Sequence, residues 1–304
     1  MMHSVKKDNL EFNKGDTIIG RWQQTRYTVM RQLGKGMIGT VYLCRAKGRL
    51  VALKISEQQM QMTTEVNVMK ELNEVQDSRL GPFLHEVDDW ISLSGQVYSF
   101  YAMEYIAGEA IHSYVRDKGE EWLVVLLIQL LDELDKVHQA GYVFGDLKKE
   151  HIIIEKHPVT VRCIDVGGMT KRGRSVKEYS EFYDRAYWQL GTRKAEPSYD
   201  LFALVMIVLS IYYPNPFKRR SLPLPFLSQK VTNIKRLHLI HPILLNALSG
   251  KYDTAQAMKD ALIKTVVKKR TKRSQPQKSA TSYLIQSVFV ASVASLYYIL
   301  SLFL

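Results

Sequence analysis

The chain predicts an α+β fold of two lobes, a small antiparallel strand-rich lobe followed by a larger helical one, with a transmembrane helix at its C-terminus. Three observations carry this. Alternating, β-branched and aromatic segments dominate from about Arg26 to Ile106. After Gly108 the apolar residues recur at helical spacing. The last 22 residues, Tyr283 to Leu304, contain no charge.

In order along the chain, residues 1–26 read as an N-terminal extension. Met1 to Lys14 has no apolar core of the kind a signal peptide needs. Residues 27–106 form the first lobe. Tyr27 to Leu33 is extended and leads into Gly34-Lys35-Gly36-Met37-Ile38-Gly39. Thr40 to Cys44 alternates, Lys47-Gly48-Arg49 turns, and Leu50 to Ile55 runs back. Gln59 to Val75 is a helix with Val66, Met69 and Leu72 on one face. Phe83 to Ser92 and Val97 to Tyr105 are two more strands around Leu93-Ser94-Gly95-Gln96. Residues 107–263 form the helical lobe, where Trp122 to Gln139 repeats Leu126, Leu130, Leu134 and Val137. Leu201 to Tyr213 is almost wholly apolar but ends at Pro214, too short to span a bilayer, and belongs at the lobe's centre. Ile243 to Leu248 and Ala255 to Ile263 are further helices.

The end of the chain changes character. Lys264, Lys268, Lys269, Arg270, Lys272, Arg273 and Lys278 occur with no acid among them and supply seven of the twelve excess positive charges. Residues 264–282 therefore read as a basic juxtamembrane linker, flexible in its second half around Ser274-Gln275-Pro276-Gln277. As a helix, 283–304 would extend about 33 Å, against about 30 Å of hydrocarbon. A buried core helix is the competing reading, but such helices rarely lack a polar face over this length. The basic flank favours the cytoplasmic side. Cys44 and Cys163 match no metal-ligand spacing and read as reduced thiols.

Four motifs carry chemistry. Gly34, Gly36 and Gly39 follow the pattern Gly-x-Gly-x-x-Gly, whose backbone N–H groups can approach phosphate. An ordinary hairpin would also explain it. No helix opens there, which disfavours a dinucleotide-binding fold, and the Walker ending is absent. Lys54 lies inside the apolar strand Val51-Ala52-Leu53-Lys54, where an amine is costly unless it meets an anion or points out from an edge. Asp146 and Lys148 lie two residues apart after a helical stretch, in Val143-Phe144-Gly145-Asp146-Leu147-Lys148. Nineteen residues on, Asp165-Val166-Gly167 follows the short strand Val161 to Ile164, although an isolated Asp-x-Gly can be a plain turn.

In this order and spacing, Tyr27 to Ile263 resembles the Hanks-type (eukaryotic-like) serine/threonine protein kinases. The resemblance implies a two-lobed kinase fold that transfers the γ-phosphoryl group of ATP to protein hydroxyls with Mg²⁺ or Mn²⁺. It implies Asp146 as catalytic base and Lys148 as support for the transferred group, a lysine there being the mark of the serine/threonine branch. Asp165 would hold the metal ion. The nucleotide would be covered by Leu33, Gly34, Lys35, Gly36, Gly39 and Val41. Ala52 and Met103 would line its pocket, and the backbone from Glu104 to Ile106 would meet the adenine edge. Lys54 would contact the α- and β-phosphates with Glu65 as its partner, Glu57 being the substitute if the short connection shifts the helix. Asp200 would brace the catalytic loop. Within the family, a degenerate kinase followed by a basic linker and an apolar tail resembles a sporulation-associated bacterial branch. That implies a location at the sporulation septum, activity that responds to DNA, and substrates that handle DNA. DNA or a shared cell membrane could bring two copies together for trans-phosphorylation, and Thr170, Ser175 and Ser180, in the expected activation segment, could be autophosphorylation sites.

The chain also departs from the family pattern. Gly145 replaces the arginine before the catalytic aspartate, so it cannot pair with a phosphorylated activation loop. His151 replaces the asparagine that holds a second metal ion, and imidazole suits manganese better than magnesium. Ala186-Tyr187-Trp188 stands where Ala-Pro-Glu closes the activation segment, which removes that glutamate's ion pair. These changes motivate a second reading, a pseudokinase that binds nucleotide or acts as a scaffold. The basic segment 264–278 likewise has two readings, anionic lipid and DNA. Lys171, Arg172, Arg174, Lys218, Arg219 and Arg220 add to an anion-seeking surface.

Overall fold

The computed structural model describes residues 10–36, 38–74 and 80–274, with side chains to residue 268. Strands β1 (Thr17–Ile19), β2 (Arg26–Lys35), β3 (Thr40–Ala46), β4 (Arg49–Ser56), β5 (Leu84–Ile91) and β6 (Val97–Glu104) form an antiparallel sheet in the order β1-β2-β3-β4-β6-β5. Helix α1 (Gln59–Glu74) connects β4 to the strand pair β5–β6. The sheet begins earlier than the expected lobe boundary. Thr17–Ile19 pairs with Arg26–Thr28, so part of the expected N-terminal extension is sheet, anchored by the fully buried Ile18.

The period-2 rule divides this sheet cleanly. Val51, Leu53, Ile55, Tyr98 and Phe100 point into one apolar layer with Ile18, Tyr27 and Tyr42. Ala52, Tyr101 and Met103 point the other way, into a layer shared with Met62, Val66, Met69 and Leu72 of α1. That second layer is continuous with the core of the helical lobe. Lys54 lies on this face, which puts its amine between sheet and helix.

The second lobe contains α2 (Ile111–Lys118), α3 (Glu120–Gln139), α4 (Pro197–Tyr212), α5 (Pro223–Thr232), α6 (His241–Leu248) and α7 (Ala255–Ser274). Between α2 and α4 run β8 (Tyr142–Val143), β9 (Ile152–Lys156), β10 (Val159–Cys163) and β11 (Thr170–Lys171), while β7 (Glu109–Ala110) precedes α2 and pairs with β9. Helix α4 is buried from Leu201 to Ser210 on every side, as its sequence demands, and starts with Pro197 at a position that needs no N–H donor.

The chain divides into a unit ending at Leu262 and a second beginning at Ile263. In the second unit the described backbone is helical to Ser274, as the last part of α7. The part of the expected linker that is described, from residue 264 to Ser274, is thus helical. Lysine, arginine and threonine run without glycine or proline until Pro276, and cations at a helix C-terminus complement its dipole. Among the described residues no helix is long and apolar enough to cross a membrane. The expected transmembrane segment 283–304 lies outside the described residues, as do residues 275–282.

Candidate active site

The glycine-rich segment is the tip of the β2–β3 hairpin. Gly34 is opposite Val41 and Lys35 opposite Thr40, and the Gly36 N–H bonds the Gly39 carbonyl at 2.9 Å. A Cβ at Gly39 would lie 2.5 Å from the Ile55 carbonyl oxygen, so only glycine allows the hairpin to close over β4. Met37 lies outside the described residues. Leu33 and Val41, half-buried, pack beside the layer containing Ala52 and Met103, and Ala52 is the cross-strand partner of Met103. Lys35 does not join this group. Its side chain is 63% exposed and faces Glu11 at 3.7 Å.

Lys54 donates to both oxygens of Glu65, at 2.8 and 2.7 Å, and both residues are buried. Glu57 is exposed, so the short connection does not displace Glu65 as the partner. Two buried charges taken from water are tolerable only when paired and hydrogen-bonded, and a second donor, the Tyr101 hydroxyl, reaches Glu65 Oε2 at 2.8 Å.

At the lobe junction, the Glu104 N–H is bonded to the Phe83 carbonyl at 2.8 Å. Ile106, buried just beyond, has no backbone hydrogen-bond partner among the described residues. The Glu104 side chain points elsewhere. Arg162 on β10 holds it bidentately at 2.6 and 3.2 Å, and also reaches Glu155 at 3.1 Å and the Gly81 carbonyl at 3.1 Å. Burial alone raises the Glu104 pKa, but the hydrogen bonds and charge of Arg162 outweigh it and hold the carboxyl below its ordinary range. Sequence reading missed this tie, since nothing in the order of residues pairs a strand-end glutamate with an arginine 58 positions later.

The catalytic loop hangs from α4. Asp200, fully buried, accepts from the backbone N–H groups of Phe144 at 2.7 Å and Gly145 at 3.0 Å, and lies 2.8 Å from His138 Nε2. Gly145 has φ of +80°, and a Cβ there would come 2.6 Å from the Gly168 carbonyl oxygen. The loop then presents Asp146, whose Oδ2 accepts from Lys148 Nζ at 2.6 Å and whose Oδ1 accepts from the Ser180 hydroxyl at 3.1 Å. Lys148 also reaches Ser180 Oγ at 3.4 Å. Sequence reading noted Ser180 only as an acceptor of phosphate. Its bridging place arises because the segment from 165 to 188 folds back on the loop.

Asp165 follows β10 and accepts from the Gly167 N–H at 3.0 Å. Burial raises its pKa, but the charges of Lys54 and His151 and the Gly167 bond outweigh that and keep the carboxyl ionised. His151 Nε2 is 3.8 Å from Asp165 Oδ2, and its buried Nδ1 has no hydrogen-bond partner among the described residues. Among the described residues no three His, Cys, Asp or Glu side chains converge to hold a metal ion by themselves. A divalent cation at Asp165 would therefore share its coordination with phosphate oxygens and water, as hard cations do.

The end of the activation segment differs from the family pattern in an instructive way. Trp188, fully buried, stacks on Phe226 at 6.3 Å, meets Phe182 and Phe217 edge-on and donates to the Phe182 carbonyl at 2.9 Å. Buried charge survives nearby in other pairs. Asp184, fully buried, meets Arg193 at 2.8 Å and Tyr199 at 3.0 Å, and Arg185 holds Glu196 at 2.6 Å.

The protein kinase domain family matches residues 27–285. Serine/threonine-protein kinase YabT of Bacillus subtilis (strain 168) is 45% identical over 267 residues, covering 88% of this chain and 79% of that protein. CBL-interacting protein kinase 28 of Oryza sativa subsp. japonica is 30% identical over 149 residues, 47% of this chain and 33% of that protein. Serine/threonine-protein kinase ICK of Mus musculus is 24% identical over 208 residues, 63% of this chain and 31% of that protein. The chain thus spans about a third of the rice and mouse relatives. A match over most of the chain, around a cleft that gathers one buried amine and two carboxylates, makes it a member of the protein kinase family, of the serine/threonine type.

Proposed function

We propose that this kinase moves the γ-phosphoryl group of ATP to a protein hydroxyl held between Asp146 and Lys148. When bound, the nucleotide supplies that group, and Mg²⁺ or Mn²⁺ offsets its charge. The observation that carries the reading is the Asp146–Lys148–Ser180 arrangement, in which a carboxylate oxygen already accepts a hydroxyl proton at 3.1 Å beside an ammonium group. Asp146 orients the incoming hydroxyl and takes its proton, and Lys148 steadies the transferring oxygens. Lys54, held by Glu65, meets the α- and β-phosphates. Gly34, Gly36 and Gly39 bring backbone N–H groups over them, with Leu33, Val41, Ala52 and Met103 around the base and Glu104 to Ile106 along its edge. Asp165 would hold the cation, and His151, whose Nε2 lies 3.8 Å from Asp165 Oδ2, would border the same space.

The rest of the reading concerns place and control. The uncharged 283–304 would tether the kinase to the cell membrane, with the sporulation septum as its proposed site. The basic run from Lys264 to Lys278 would bind DNA through phosphate contacts, bringing copies together and toward DNA-handling substrates. Anionic lipid is the alternative ligand for the same charges.

Radiolabelled ATP given to the full chain with Mg²⁺, then Mn²⁺, alongside Asp146→Asn, tests the enzyme reading. Labelling by the native chain and none by the variant supports it. Equal labelling of both, or of neither, overturns it and leaves a nucleotide-binding scaffold. Duplex DNA and anionic vesicles, added separately at rising salt, distinguish the two ligands of the basic run.

A further inference from the structure

Lys54 and Tyr101 are direct cross-strand partners in the β4–β6 ladder, on the face that looks toward α1. Both reach the same carboxylate. Lys54 donates to the two oxygens of Glu65, and Tyr101 donates to Oε2 at 2.8 Å. All three groups are buried, Glu65 to 2% exposure. Burial and the neighbouring Glu65 charge raise the Tyr101 pKa well above its ordinary value, so the phenol stays protonated and able to donate.

The two donors have different duties. On the proposed reading, Lys54 must turn part of its ammonium toward phosphate when nucleotide arrives. The Tyr101 hydroxyl has no second task, and its ring is fixed in the layer with Met69 and Met103. A buried carboxylate that loses a donor without replacement is strongly disfavoured, so the constant donor decides where Glu65 rests. The flanking charges do not supply one. Lys171 and Glu71, the ion pair between the activation segment and α1, are both largely exposed and 3.7 Å apart. Gly145 offers no arginine to order that segment.

We propose that Tyr101 is a positioning residue for phosphoryl transfer, its hydroxyl keeping Glu65, and through it α1, aligned with Lys54 whether or not nucleotide is bound. The inference rests on Lys54 being the phosphate-binding amine. Its consequence is a nucleotide cleft assembled in advance, without help from a phosphorylated loop. Removing the hydroxyl lowers the competent fraction of the free protein, a loss that saturating nucleotide restores.

The test is Tyr101→Phe in the full chain, which removes one oxygen and keeps the ring. Amide hydrogen exchange without nucleotide should rise by about tenfold across 62–72 of α1 and stay at the native level in α4. The KM for ATP should rise by about tenfold while kcat changes less than about twofold. In a Glu65→Gln background the same substitution should add little to the KM, because the coupled acceptor has changed. Unchanged exchange in α1, a uniform rise over the whole molecule, or an undiminished KM effect beside Glu65→Gln would each overturn the proposal. The exchange measurement needs no turnover, so it decides the role of Tyr101 even if the native chain transfers no phosphate.

Discussion

The cleft contains two lysine–carboxylate pairs of the same chemistry in different settings. Lys54–Glu65 joins a strand to a helix and leaves 10% and 3% of its side chains exposed. Lys148–Asp146 joins residues two apart in one loop, with 21% and 15% exposed, and shares a serine hydroxyl. The first pair exists only if the sheet and α1 are packed, so it belongs to the architecture as much as to the chemistry. The second is prepared by a local loop that Asp200 suspends, and it can exchange partners as a reaction proceeds.

If this division is right, substitutions in the two pairs separate activity from stability. The largest effect on turnover should come from Asp146→Asn, a fall in kcat of about a thousandfold or more with the melting temperature nearly unchanged. Calorimetry beside a phosphotransfer assay checks both halves, and a large loss of stability would break the comparison. Lys54→Met should lower kcat/KM by about a hundredfold and also destabilise the fold by about 3–5 kcal/mol, because it strands the buried Glu65 charge. Chemical denaturation would show it, whereas Lys148→Met should shift the midpoint little. Ser180→Ala should reduce kcat by about tenfold through the loss of one hydrogen bond to a charged group, leaving the KM for ATP intact. The smallest effect concerns Glu104. Its pKa is held low in the folded protein, so its tie to Arg162 contributes stability above the unfolded carboxylate pKa of about 4.3 and loses it as pH falls through the folded value. Glu104→Gln should therefore flatten the acid limb of the stability profile, as thermal melts between pH 6 and pH 3, taken as a rough window, would reveal.

Much of the molecule was legible beforehand, for identifiable reasons. Strands β2 to β6 run seven residues or more and contain β-branched and aromatic residues, and α3 and α4 carry long apolar stretches, so local pattern and tertiary burial agree. The motif order marked Lys54, Asp146 and Asp165 because spacing survives folding. What could not be read depends on register or return. Strand β1 is three residues with one buried side chain, too short for alternation to register. Tyr101 looks like any strand tyrosine until the ladder sets it opposite Lys54. Arg162 and Glu104 meet only across the lobe junction. Trp188 suggested a missing ion pair, yet the burial it represents is intact as an aromatic cluster, and charge pairing has moved to Arg185 with Glu196 and to Asp184 with Arg193. The basic run read as a linker because proline and glutamine follow it, but no helix breaker occurs before Pro276.

Gly145 has a longer reach than its size suggests. Its left-handed backbone, with the Gly168 carbonyl pressed against the space a β-carbon would fill, leaves no room for a side chain at this position. An arginine placed here must first displace the turn that follows Asp165, so this loop and that turn are bound to change together.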